Sequence, residues 1–130
     1  MAGSLVVDTI ETGTGRIIST ANIAKGIAKA WVNLNGVGSA VVRSSFNVTS
    51  VVRNATGDYT INFTTPLADT NYVVVISTSG GATNGITGAV KASAYNGTLT
   101  NMTTSSLSVY TYNVNSNYDV TMLSIVIFGN

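Results

Sequence analysis

The chain has 130 residues, one proline, no cysteine and no histidine, and its formal net charge is +1. Such a length suits one domain burying roughly two thirds of its unfolded surface. The missing residue types exclude disulfides, Ser-His-Asp and Cys-His catalysis, and zinc sites built on those side chains.

Only 8% of the residues are charged, against about 25% in typical domains. The remainder is 45% hydrophobic, so disorder through charge excess is excluded. Such a surface has little self-repulsion, which favours a chain that is covered in an assembly. The cations Arg16, Lys25, Lys29, Arg43, Arg53 and Lys91 are scattered, without the clustering that nucleic acid requires. No apolar run approaches the ~20 residues of a membrane helix. The N-terminus carries Asp8 and Glu11 and lacks the apolar core of a signal peptide, so synthesis in a cytosol is expected.

In chain order, residues 5–10 read as a short strand, broken by Gly13-Thr14-Gly15. Thr20 is placed to cap a short helix carrying Ala21, Ile23, Ala24, Ile27 and Ala28. Gly26 opposes that helix by about 1 kcal/mol relative to Ala. Residues 1–28 hold too few large apolar side chains for a core and read as an arm or attachment segment; residues 29–130 read as the β-domain.

From residue 28 onward strands dominate. Ala30, Val32 and Leu34 alternate with Lys29, Trp31 and Asn33, and Asn35-Gly36 signals a turn. Residues 46–63 predict a hairpin, with a polar connection at 54–57. Its second arm sets Tyr59, Ile61 and Phe63 against Asp58, Thr60 and Asn62. Pro66-Leu67-Ala68-Asp69 makes a turn. Residues 72–76 are apolar on both faces, as in a central strand or one covered by another subunit. A glycine-rich loop spans 80–88, and residues 87–103 read as a hairpin on Asn96-Gly97. A strand over 106–112 follows. The last strand, 119–128, again has two apolar faces and must sit mid-sheet or in a subunit contact. About eight strands in an antiparallel sandwich or jelly-roll-like fold are expected.

Five carboxylates remain for chemistry: Asp8, Glu11, Asp58, Asp69 and Asp119. Asp58 and Asp69 are the pair that a glycosidase would need, but each sits where Asp serves turn geometry. Asn113, Asn115, Asn117 and Asp119 have the alternation of a calcium loop, yet Tyr118 and Ser124 stand where that loop needs Gly and Glu. A polar turn is the simpler reading. No catalytic residue, cofactor or metal is assigned. Tyr95, Tyr110, Tyr112 and Tyr118 are aromatic side chains that a sugar-binding module would use at its surface. Thr83, Asn84, Tyr95 and Asn96, in the loops, are the candidate receptor contacts.

Two stretches carry a resemblance. One is Ala28-Lys29-Ala30-Trp31-Val32-Asn33-Leu34-Asn35-Gly36. The other runs from Ser45-Phe46-Asn47-Val48-Thr49-Ser50-Val51 to Gly57-Asp58-Tyr59-Thr60-Ile61-Asn62-Phe63-Thr64-Thr65, and Asp69-Thr70-Asn71-Tyr72 continues it. Together with Val6-Val7-Asp8-Thr9-Ile10 this combination resembles phage tail-fibre and virion structural proteins. The likeness covers about residues 28–76 and departs at Leu34, where the family commonly has an aromatic.

The resemblance implies a non-enzymatic, virion-associated β domain that is trimeric in fibres. The expected partners are two further copies of the chain, other virion proteins through residues 1–28, and a host-surface glycan or protein. No nucleic acid and no membrane span are expected. The alternatives are a capsid decoration protein or head fibre, and a carbohydrate-binding module. In the trimer, the two-faced strands would meet through Tyr72, Val74, Ile76, Leu123, Ile125 and Ile127.

Overall fold

A computed structural model describes residues 3, 6–79, 85, 87–91 and 101–129. Among them the fold is all-β with one short helix. The strands are β1 (Thr9–Glu11), β2 (Ile17–Ser19), β3 (Ala28–Asn35), β4 (Val41–Phe46), β5 (Val48–Ala55), β6 (Asp58–Phe63), β7 (Val73–Ser79), β8 (Thr87–Val90), β9 (Ser106–Tyr112) and β10 (Met122–Phe128); α1 covers Thr20–Gly26. Two four-stranded antiparallel sheets, ordered β4-β3-β10-β7 and β5-β6-β9-β8, form the sandwich. The expected antiparallel sandwich of about eight strands is therefore present, and β1-β2 adds a separate two-stranded ribbon.

Alternation dictates the core. Ala30, Val32 and Leu34 from β3 and Leu123, Ile125 and Ile127 from β10 turn inward from the first sheet. Tyr59 and Ile61 from β6, with Leu107 and Val109 from β9, meet them from the second. The predicted hairpin over 46–63 is the β5–β6 pair, with Val51 opposite Ile61 and Val52 opposite Thr60. Its connection is tighter than the sequence suggests, because β5 runs on to Ala55 and only Thr56 and Gly57 turn the chain. Gly57 has φ +64° and packs so closely on the Thr111 carbonyl that a Cβ would collide with it. Only glycine meets both demands without strain.

The last strand lies mid-sheet, between β3 and β7. Strand β7 is not central: it forms an edge of its sheet, with Val73 and Val75 outward and exposed in the single chain.

Before the sandwich, Thr12 and Arg16 close the β1–β2 turn, and Thr20 Oγ1 donates to the Asp8 carbonyl at 2.8 Å. A short helix forms, but Ser19 and not Thr20 is its N-cap and Ile27 and Ala28 lie beyond its end; Gly26 is its final residue, so the glycine cost falls at the end and not in the interior. No described residue from 6 to 27 is buried. No helix among the described residues is long and apolar enough to cross a membrane.

Since Ile125 is enclosed within a single chain, Ile125→Ala should lower folding stability by about 2–5 kcal/mol. Chemical denaturation should show this loss equally at low and high protein concentration.

Candidate functional site

The six residues expected at a subunit contact share one strand parity. Leu123, Ile125 and Ile127 are at most 1% exposed and Tyr72 is buried, all inside the protomer. Val74 and Ile76 pack against the same core. Within the single chain these six side chains face the core of the sandwich, and the opposite faces of β7 and β10 look outward. Thr83, Asn84, Tyr95 and Asn96 lie outside the described residues, as does most of the hairpin expected over 87–103.

The outer face of β4-β3-β10-β7 carries the apolar side chains that the core does not take. Phe46, Trp31, Val126 and Val75 are direct cross-strand neighbours and form one row across all four strands. Phe128 and Val73 are paired beside them. Phe46 is 54% exposed, Val73 62% and Val75 52%; Trp31, Val126 and Phe128 are half-buried. The next row is polar: Ser44, Asn33, Ser124 and Ser77, with Asn33 Nδ2 donating to Ser124 Oγ at 2.7 Å. The four strands contain two charged residues, Lys29 and Arg43, and no carboxylate. Both cations are engaged locally. Lys29 Nζ donates to the Ala24 carbonyl at 2.8 Å, and Arg43 donates to the carbonyls of Leu34 and Thr121. The row is therefore apolar and held by paired strands, the composition of an interface core.

The outer face of β5-β6-β9-β8 is mainly polar, with Val52 exposed on it. Lys91 Nζ donates to Asp58 Oδ2 at 2.7 Å and lies 4.8 Å from the centre of the Tyr110 ring. The hydrogen bond to Asp58 is the main reason the Lys91 ammonium is held above its ordinary pKa. Asn54 Nδ2 donates to both Asp58 and Thr60, and Asn62 donates to Ser50. With Lys91 on its face, Tyr110 does not offer the bare ring that a sugar platform needs. Asp69 Oδ1 accepts from the Asn71 backbone N–H, so Asp58 and Asp69 each have a partner of their own.

The third cluster joins sequence-distant turns. Asp119 accepts two hydrogen bonds from Arg53, through Nε at 3.0 Å and a terminal guanidinium nitrogen at 2.6 Å, and one from the Gly57 N–H at 2.8 Å. The Tyr59 hydroxyl sits 2.8 Å from Asp119 Oδ1 and 3.1 Å from the Gly36 carbonyl. Burial alone would push the Asp119 carboxyl up. The hydrogen bonds from Arg53, Gly57 and Tyr59 outweigh it and hold the group below its ordinary value of 3.8. Tyr59 is pushed up to about 12, first by burial and then by Asp119.

This cluster accounts for Asp119 without an ion. The asparagines of the proposed calcium loop make a turn, with Asn113 Oδ1 accepting from the backbone N–H groups of Asn115 and Ser116. Among the described residues no three Asp, Glu, His or Cys side chains gather into a metal-binding group.

Sequence reasoning missed Arg53–Asp119, which spans 66 residues and leaves no local pattern. It found the two-sidedness of β10 but not which side faces solvent. The signal for the outer row was already present in Trp31, set opposite Ala30, Val32 and Leu34. No family model, curated protein or solved structure matches this chain.

Replacing Asp119 by Ala leaves the Gly57 N–H without its acceptor and the Arg53 guanidinium without its carboxylate, while the Tyr59 hydroxyl keeps the Gly36 carbonyl, a loss of about 2 kcal/mol. Because the folded-state pKa of Asp119 is depressed, its stabilisation is full above the unfolded value. It is lost as pH falls through and below that value towards the folded one. Thermal melts from pH 6 to pH 2 should therefore show the Asp119→Ala deficit shrinking below about pH 4.

Proposed function

We propose that the protein is a non-enzymatic structural component of a bacteriophage virion. It acts as a homotrimer in a tail fibre or fibre tip that contacts the host surface. The observation that carries this reading is the outward apolar row Phe46-Trp31-Val126-Val75 on a sheet without carboxylates. A monomer that exposes such a row is prone to indiscriminate association, whereas a permanent assembly covers it. The low overall charge favours the same outcome. The word phage rests on the motif of residues 28–76, including Trp31 itself and the β5–β6 hairpin.

The carboxylates support a structural and not a hydrolytic role. Asp58 and Asp119 are neutralised by Lys91 and Arg53, and Asp69 shapes a turn. An acid–base pair needs two facing carboxyls around a substrate, and these groups have other partners. Host contact falls to the loops on this reading, since loops on a rigid β scaffold are where recognition concentrates.

Light scattering on the purified chain should give a mass near three times 13.4 kDa. Val75→Asp places a charge in the middle of the outer row without touching the core. It should yield a folded monomer with an unchanged far-ultraviolet spectrum. A trimer that survives Val75→Asp would remove this face from the assembly, and a monomeric parent chain would remove the assembly itself. Detection of the chain in density-purified particles of the encoding phage tests the virion assignment separately.

A further inference from the structure

In an Asn-Gly pair the backbone nitrogen of the glycine readily attacks the side-chain amide before it. Glycine has no side chain to hinder the approach and the most freedom to make it. The sequence holds three such pairs, Asn35-Gly36, Asn84-Gly85 and Asn96-Gly97. The first lies within the described residues, where β3 ends. In the reaction, base takes the proton of the Gly36 N–H and the nitrogen bonds to Asn35 Cγ. The Cγ–Nδ2 bond breaks, and the amide nitrogen leaves as ammonia with the proton restored. Water then opens the five-membered imide at either carbonyl, giving aspartate or isoaspartate. Water is the only other reactant.

The closed fold opposes each step. Gly36 is buried, and its N–H donates to the Val120 carbonyl at 2.8 Å. Base cannot take that proton until the bond opens, the condition that also governs hydrogen exchange. Asn35 Oδ1 accepts from the Val37 N–H at 3.2 Å, which ties the side-chain amide to the residue beyond the glycine. The Tyr59 hydroxyl and the Val120 carbonyl press so closely on Gly36 that a Cβ would collide with them, so the glycine has little slack. Tyr59 is also the link to Asp119. Its hydroxyl lies 3.1 Å from the Gly36 carbonyl and 2.8 Å from Asp119 Oδ1. The cluster that anchors the start of β10 therefore also holds the turn after β3.

We propose that Asn35 is a modification site gated by the Tyr59–Asp119 cluster. With the cluster closed, the Asn35 amide is inert. When the cluster opens, Asn35 converts to aspartate and isoaspartate, and the change is not reversed. Isoaspartate adds a methylene to the main chain at the point where β3 pairs Asn35 with Val41. Either product adds a carboxylate to the turn that Tyr59 ties to Asp119, and like charges oppose one another there. A chain that has opened at this point is marked and hindered from closing again. The inference is independent of the assembly proposed above.

The test incubates the full-length chain in mildly alkaline buffer and follows the Asn35 peptide by mass spectrometry after digestion. Conversion in the native chain should be about tenfold or more slower than in the same chain held in denaturant. Tyr59→Phe keeps the ring and removes the hydroxyl, and it should speed native conversion about fivefold. Ile125→Ala weakens the core without touching the cluster and should leave the native rate close to the parent's. A native chain that converts Asn35 as fast as the denatured chain overturns the proposal, whatever the variants do. A Tyr59→Phe chain that keeps its far-ultraviolet spectrum and the parent's rate also overturns it. Equal acceleration by Ile125→Ala and Tyr59→Phe would place the opening in global unfolding and remove the cluster's role.

Discussion

The fold depends on placing strand β10, seven residues with large apolar side chains on both faces, between β3 and β7. A strand of this kind at a sheet edge would pair with any other chain it met. Mid-sheet, its backbone groups are paired on both sides. Its inward residues Leu123, Ile125 and Ile127 then complete the core against Tyr59, Ile61, Leu107 and Val109. The cost of this solution is on the other side. Val126 and Phe128 must project outward, and their neighbours in register, Trp31, Val75 and Val73, are apolar too. The core and the exposed row are thus two consequences of one strand.

The Asp119 cluster fixes where β10 begins. Asp119 is bound to Arg53 of β5, to the Gly57 turn and to Tyr59 of β6, and Gly36 donates to the next carbonyl, that of Val120. The chain therefore enters β10 anchored to the opposite sheet. A slip of one residue would exchange the inward and outward sets of a strand. In β10 both sets are apolar, so hydrophobicity alone discriminates weakly between registers. The fully buried Val120 and the anchored Asp119 supply the missing specification. Thr111, buried beside them, donates to the Tyr118 carbonyl at 2.6 Å, and the Tyr118 N–H returns to the Thr111 carbonyl. This closes the β9-to-β10 connection against the Gly57 turn.

What could be read in the sequence follows from the same physics. Tyr59, Ile61 and Phe63 alternate with Asp58, Thr60 and Asn62, so the β5–β6 hairpin and its inward face were legible from side-chain polarity. In β3, Trp31 stood opposite three aliphatic residues, and its outward position was legible once those three were taken as core. Residues 72–76 and 119–128 were not legible in this way. Strands apolar on both faces say nothing of edge or centre, and β7 is an edge while β10 is central. The ion pairs Arg53–Asp119 and Lys91–Asp58 are contacts between turns and strands far apart in sequence, and composition carries no trace of such pairing.

If copies of the chain assemble as proposed, simple edge pairing would leave the apolar face uncovered. The free edges of the apolar-faced sheet are β4 and β7. Joining them edge to edge would extend the sheet and leave the outer row as exposed as before, now repeated along an open array. Covering the face removes the apolar row from water at about 25 cal/mol per Å² and consumes the one surface that would otherwise drive open-ended growth. In a chain with so few charges to keep copies apart, a closed set of contacts gives a defined particle where an unfilled face would give aggregation.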